Sequence, residues 1–327
     1  VLDVVFVARA PERGEVDVGG RDPAAFGVLA DVVAGPGVTD VFVNPDGSVW
    51  RDAGGGASPV EGMRLPPDEA RELAVRLVSL GGRHVDEGTP AMDVRLGDGV
   101  RVHAVLPPVS PGGAAVSIRL QRTRPLSARE LAEGGMFADV PLDGVRELVL
   151  GRANLLVTGA GGSGKTTLLG ALLGLAPPHE RIVIVEDVAE LRIRHPHVVA
   201  LEARQPNLDG AGAIGLDRLV REALRMRPDR LVVGEVRGGE LRELLGALNT
   251  GHDGGAGTLH ANSLGDVPAR LEALGALAGL GPDALARQAV SAIDAVLHVE
   301  RTPAGRRLAA RGELGLGRRG RLTVIAL

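Results

Sequence analysis

Residues 154–173 read NLLVTGAGGSGKTTLLGALL: an apolar run, a glycine-rich loop, then an apolar stretch of helix formers. The loop GAGGSGKT, Gly159 to Thr166, fits G-x-x-x-x-G-K-[ST] in the strand-before, helix-after context that gives this pattern its meaning. Glycines let backbone N–H groups turn inward around a polyphosphate, and the N-terminus of the following helix adds its positive dipole. The candidate nucleotide-binding residues are therefore Gly159, Gly161, Gly162, Ser163, Gly164, Lys165, Thr166 and Thr167. Lysine and arginine together number 37, and Lys165 is the single lysine among them. A compact ammonium fits a phosphate cradle that a guanidinium fork would overfill.

That unit sets the fold class. Downstream, RIVIVED, RLVVGE and GAGTLH alternate with helical patterns such as LDRLVREALRM, GELRELLGALNTG and VPARLEALGAL. Strands apolar throughout and separated by helices predict a mainly parallel sheet covered on both faces. The tail segments AVLHVER, RRLAARGEL and RLTVIAL have the spacing of antiparallel edge strands.

Chemistry is expected where those strands end. RIVIVED ends in Glu186 and Asp187, with Glu190 a turn on. LVVGEVRGG has Gly234 where such proteins carry a cation-holding aspartate, and Glu235 follows it. If Thr166, phosphate oxygens and water hold Mg²⁺, Glu235 is left to orient and deprotonate a water. Glu186 is the reserve base and, with Thr166, a candidate Mg²⁺ ligand. His260, at the end of GTLH, is placed to sense a terminal phosphate, while His252 fits a structural hydrogen-bonding role equally well.

The first 22 residues show neither a clear period nor a signal pattern, so they are expected to form a loose segment of a cytoplasmic protein. From Pro23, a helix to Gly35, two strands around NPDG, a helix over PPDEARELAVRLVSLGG, a hairpin MDVRL–GDG–VRVHAVL and a strand AVSIRLQR predict a smaller α/β domain. The expected divisions are 1–22, 23–122, a linker 123–139 containing a Ser127/Glu130 capping box, and 140–327. No apolar stretch is long enough to insert in a membrane. With no cysteine, zinc knuckles and thiol chemistry are excluded. A net charge of −4 and 2% aromatics weigh against direct nucleic-acid binding, which leaves a nucleic-acid motor as the alternative reading and a non-hydrolysing, nucleotide-gated scaffold as a third.

Together, GAGGSGKTT, IVEDVAEL, LRMRPDRLVVGEVRGGE and NTGHDGGAGTLHANS resemble the Walker A, Asp box, atypical Walker B and His box of the secretion-superfamily ATPases. The branch they resemble is the CpaF/TadA type of Tad (Flp) pilus assembly, grouped with conjugal-transfer-associated ATPases. The resemblance implies an ATP-hydrolysing motor with Mg²⁺, a RecA-like domain preceded by a PAS-like α/β domain, and a homo-oligomeric, usually hexameric, ring. It also implies work on an inner-membrane pilus or secretion platform, reached through protein partners. RLGDGVRVHAVLPP and VSIRLQR resemble the segments carrying arginine fingers, so Arg101 and Arg119 become catalytic candidates beside Lys165, Glu186, Glu235 and His260.

Overall fold

The computed structural model describes residues 23–97, 99–120, 124–204, 212–303 and 305–327. The expected loose segment at 1–22, Asp98 of the GDG turn and Gln121 lie outside them. The chain divides at Thr123/Arg124 into two compact units.

In the first unit, strands β1 (Asp40–Val43), β2 (Ser48–Asp52), β3 (Ala57–Arg64), β4 (Ala91–Leu96), β5 (Val100–Val105) and β6 (Ala115–Leu120) form one sheet in the order β3-β2-β1-β6-β5-β4. Every neighbouring pair is antiparallel. Val41, Val43, Val102, Ala104, Val116 and Ile118 project from one face and are buried, as period-2 alternation requires. Ala70, Leu73, Ala74, Leu77 and Val78 of helix α2 (Pro67–Leu80) pack in the same core. Two expectations change. The helix expected from Pro23 to Gly35 is a 3₁₀ turn, Pro23–Leu29, followed by the short α1 (Ala30–Val33); it breaks at Gly27, where φ is +52°. β3 follows a glycine-rich stretch and has little apolar alternation, so its sequence gave no strand signal.

The second unit contains α3 (Ala128–Glu133), α4 (Leu142–Leu150), β7 (Leu155–Gly159), α5 (Lys165–Leu173), β8 (Ile182–Glu186), β9 (Val198–Glu202), α6 (Leu216–Leu224), β10 (Arg230–Val233), α7 (Glu240–Leu248), β11 (Ala256–His260), α8 (Val267–Leu277), α9 (Pro282–Ala292), β12 (Ala295–Thr302), β13 (Gly305–Leu316) and β14 (Leu322–Ala326). Its sheet runs β14-β13-β12-β7-β11-β10-β8-β9. The six strands from β12 to β9 are parallel, and β13 and β14 add on antiparallel. AVLHVER is thus not an antiparallel edge strand: α9 carries the chain across the sheet, and β12 pairs parallel with β7. Successive side chains of each central strand serve opposite cores. Val183, Val185, Leu231 and Val233 pack with α6 to α9, whereas Ile182, Ile184 and Val232 pack with α3 to α5. The segment expected to be a linker is partly core, because Ala128, Leu131 and Met136 are buried against Leu168 and Leu169 of α5. The capping box between Ser127 and Glu130 is present.

The strands are aligned at their N-terminal ends by a buried ion cluster. The Arg230 guanidinium donates from Nε to Glu180, from Nη2 to Val149 O at 2.9 Å and from Nη1 to Gly254 O at 3.4 Å. Arg152 donates to the same Glu180 at 3.0 Å and to the carbonyls of Asp229 and Asp253. Both Arg230 and Glu180 are buried, and removing one partner of such a pair strands the other charge in a low dielectric. Glu180→Ala should therefore lower stability by about 3–5 kcal/mol in chemical denaturation, with Glu180→Gln losing less because the amide still accepts from Arg230.

Candidate functional site

The phosphate loop turns between β7 and α5 through positive φ at Gly159 (+151°), Gly162 (+69°) and Gly164 (+102°). At Gly159 a Cβ would lie 2.3 Å from Val299 O and 2.6 Å from Ser163 Oγ, so close approach as well as φ demands glycine. Lys165 is buried and donates to Gly159 O at 3.0 Å and Ala160 O at 2.9 Å. Burial lowers its pKa, and the charges of Glu235 and Glu190 oppose that shift. Ser163 Oγ is buried with no partner among the described residues. Thr166 is half-buried and Thr167 exposed at the start of α5.

Glu186 explains Gly234. Parallel register sets Val185 opposite Val233, which brings the next residues, Glu186 and Gly234, alongside each other. A Cβ on Gly234 would lie 2.4 Å from Glu186 Cγ and 2.7 Å from Oε1. The carboxylate missing from the end of β10 is thus replaced in space by one from β8, and a side chain at position 234 would require the Glu186 side chain to shift. Glu186 Oε1 accepts the backbone N–H groups of Glu190 at 3.1 Å and Leu191 at 2.9 Å, while Oε2 is buried without a partner among the described residues. Desolvation pushes its pKa up to about 7 despite those two donors. The segment after Glu186 then lies against α5, where a Cβ on Gly170 would meet Arg192 O at 2.7 Å.

Glu235 follows β10 and is pinned from two sides. Its Oε2 accepts from Arg237 Nη2 at 2.7 Å, and its Oε1 lies 3.2 Å from His260 Nε2. Half-burial raises its pKa, but the Arg237 hydrogen bond and the charges of Arg237, His260 and Lys165 outweigh that and hold it below the ordinary carboxylate range. His260 is lowered by burial and by Lys165, so at neutral pH it lies beside Glu235 as a neutral ring. Arg237 also reaches Asp187 Oδ2 at 3.5 Å. The backbone N–H groups of Arg237 and Gly238 are tied to the buried Glu240 carboxylate.

The structure therefore gathers Lys165, Glu186, Glu235 and His260 at the C-terminal ends of β7, β8, β10 and β11. His252 is separate and structural, its Nδ1 lying 3.3 Å from Ala247 O. Arg101 and Arg119 belong to the first unit, directly opposite each other on β5 and β6; Arg101 pairs with Asp93 at 3.0 Å and Arg119 is exposed. Two residues escaped the sequence reading. Arg237 had a signal, since i and i+2 in an extended segment share a side with Glu235. The buried His298, 2.9 Å from Thr158 Oγ1 on β7, had none in an apolar strand.

Residues 60–304 match the family model for type II/IV secretion system proteins. A Mycobacterium tuberculosis protein named for conjugal transfer is 48% identical over 287 residues, covering 86% of this chain and 82% of that protein. The conjugal transfer protein TrbB of Rhizobium radiobacter is 31% identical over 277 residues, covering 83% and 82%. The solved Legionella pneumophila ATPase DotB shares the fold at a TM-score of 0.57, with 20% identity over 88% of this chain and 76% of that one.

Two outcomes test the acid arrangement. Gly234→Ala should destabilise by roughly 1–3 kcal/mol, as overpacking does, and Gly234→Asp by more because a second carboxylate abuts Glu186; urea denaturation reads both, and a stable aspartate variant would show that Glu186 can sit elsewhere. Glu186 keeps its proton in the fold to about pH 7 but loses it near 4.5 when unfolded, so its stabilising effect is complete below 4.5 and is lost as pH rises through 7. Melting temperatures should fall over that window in the wild type and fall less in Glu186→Gln.

On this match the chain belongs to the type II/IV secretion system protein family, the secretion-superfamily ATPases.

Proposed function

We propose that this chain is an ATP-hydrolysing motor of a secretion, pilus-assembly or conjugal-transfer system. The observation that carries the reading is the convergence of a phosphate loop, a buried acid, an ionised acid and a neutral histidine on one sheet edge. The second unit then acts as a RecA-like ATPase domain and the first as a PAS-like domain of a homo-oligomeric, hexameric ring at the inner face of a membrane platform. Among the described residues no helix is long and apolar enough to cross a membrane, so contact with that platform would run through protein partners. The Tad/Flp-type branch and the conjugal-transfer relatives are both compatible with such a platform.

In this reading the loop N–H groups and the α5 N-terminus take the phosphates, and Lys165 turns from the carbonyls of Gly159 and Ala160 to β- and γ-phosphate oxygens. Hard oxygen donors suit Mg²⁺, and both the Thr166 hydroxyl and Glu186 Oε2, which has no partner among the described residues, would serve as its protein ligands. When bound, Mg²⁺ supplies positive charge to phosphate oxygens. Glu235, held ionised, takes the proton of the water that attacks the γ-phosphorus as the bond to the ADP oxygen breaks. His260 bridges Glu235 to the end of β11 and reports the γ-phosphate to it. Arg101 and Arg119 supply charge to the transferring phosphoryl group as arginine fingers.

Lys165→Ala should abolish ATP binding. Glu235→Gln should bind ATP normally and hydrolyse it about a hundredfold or more slowly, and Arg101→Ala and Arg119→Ala should lower kcat by about a thousandfold at unchanged ATP affinity. Equilibrium binding with steady-state phosphate release measures all four. Wild-type turnover in Glu235→Gln would transfer the base role to another acid, Glu186 first.

A further inference from the structure

β12 reads AVLHVER, and Ala295, Val296, Leu297 and Val299 around His298 are buried in the two cores of the second unit. His298 is buried with them. An imidazole in that position loses its water, a cost that leucine would not carry and that only directional hydrogen bonds offset. Two such bonds are present. Parallel register places His298 opposite Thr158, which precedes Gly159 at the end of β7, and its Nδ1 lies 2.9 Å from Thr158 Oγ1. The ring also hydrogen-bonds the backbone of Asn262, two residues past His260. His298 thus joins the strand that enters the phosphate loop to the segment by which the chain leaves β11.

That segment governs where His260 sits. Ahead of His260, β11 is tied to the strand end that carries Glu235: Thr258 Oγ1 donates to Gly234 O at 2.6 Å, and Val236 N donates to Thr258 O at 2.8 Å. Behind it stand an exposed bond from Arg270 to His260 O at 3.2 Å, a bond from Ala261 N to Gly159 O at 3.3 Å, and the buried ring of His298. Between these ties His260 Nε2 lies 3.2 Å from Glu235 Oε1.

We propose that His298 is a positioning residue for ATP hydrolysis: by bridging Thr158 to Asn262 it fixes the exit of β11 against the phosphate loop and so holds His260 on Glu235. This rests on the hydrolytic reading of the site. It gives a buried polar pair, which packing alone does not require, a part in setting the proposed base.

The test is steady-state phosphate release from ATP, with equilibrium ATP binding, on the full chain carrying His298→Leu, His298→Asn, Thr158→Val or His260→Ala, and each of the first three combined with His260→Ala. Thermal melting verifies folding. His298→Leu should lower kcat by about tenfold to a hundredfold, the effect of a small misplacement of reacting groups, while ATP affinity changes by less than about threefold. His298→Asn, which keeps a polar atom near the Nδ1 position, should recover part of that loss. Thr158→Val should reproduce the loss from the other side of the contact. In the His260→Ala background neither His298→Leu nor Thr158→Val should lower kcat further, because the group they position is gone. Losses that multiply with that of His260→Ala would make His298 a packing residue only, and the proposal falls. It falls equally if Thr158→Val turns over ATP at the wild-type rate, and since that variant leaves the histidine in place, it decides the question whether or not His298→Leu folds. A wild type that binds ATP and releases no phosphate would overturn the hydrolytic reading, and this proposal with it, an outcome distinct from the other two.

Discussion

The buried Arg230–Glu180 pair is the constraint on which the arrangement of the second unit depends. Parallel strands have no hairpins to set their register, so the alignment of β7, β8, β10 and β11 must come from contacts among the segments that lead into them. Arg230 and Arg152 provide these by tying the end of α4, the turn before β8 and the turn before β11 to one carboxylate. Asn154 adds a second tie: its side-chain Oδ1 accepts from Gly255 N at 3.0 Å and its backbone N–H donates to Asp294 Oδ2 at 2.7 Å. With the starts of the strands aligned, their opposite ends come level, and Lys165, Glu186, Glu235 and His260 meet there.

At that edge the acids are differentiated by surroundings and not by residue type. Glu186 is desolvated and, among the described residues, receives only backbone donors, so it holds its proton toward neutrality. Glu235 sits only a strand away with an arginine on one oxygen and a histidine on the other, and stays ionised. Two glutamates with opposed proton affinities side by side are the usual arrangement by which one site separates an acid role from a base role.

Much of this was legible in the sequence, for reasons that can be traced residue by residue. The loop GAGGSGKT is a local motif whose glycines and single lysine announce their own geometry, and the period-3.6 spacing of Ala70, Leu73, Ala74, Leu77 and Val78 gave α2 directly. The significance of Gly234 was only half readable: the sequence shows an aspartate missing, but that Glu186 occupies its space depends on β8 lying next to β10, a non-local pairing. β9, the parallel edge strand beyond β8, and α9 were passed over for a related reason. β9 is short and half-exposed, so it gives no strong periodic signal, and α9 is alanine-rich, with Leu285 the one large apolar side chain among its buried positions Leu285, Ala286, Ala289 and Ala292. The role of residues 128–136 as core was hidden because two buried leucine-type anchors among polar neighbours resemble a tether until their partners on α5 are known.

The absence of a side chain at Gly170 has a mechanical consequence. Because Arg192 O lies in the space a Cβ would fill there, and Leu191 on the same segment both packs in the α5 core and donates to Glu186, α5 and the stretch after β8 behave as a single rigid lever. A shift of α5 along its axis cannot stay at the loop. It drags the N–H groups that hold the Glu186 carboxylate and, through residues 192–197, pulls on the first residue of β9 at the far edge of the sheet, some strands away from where the displacement began.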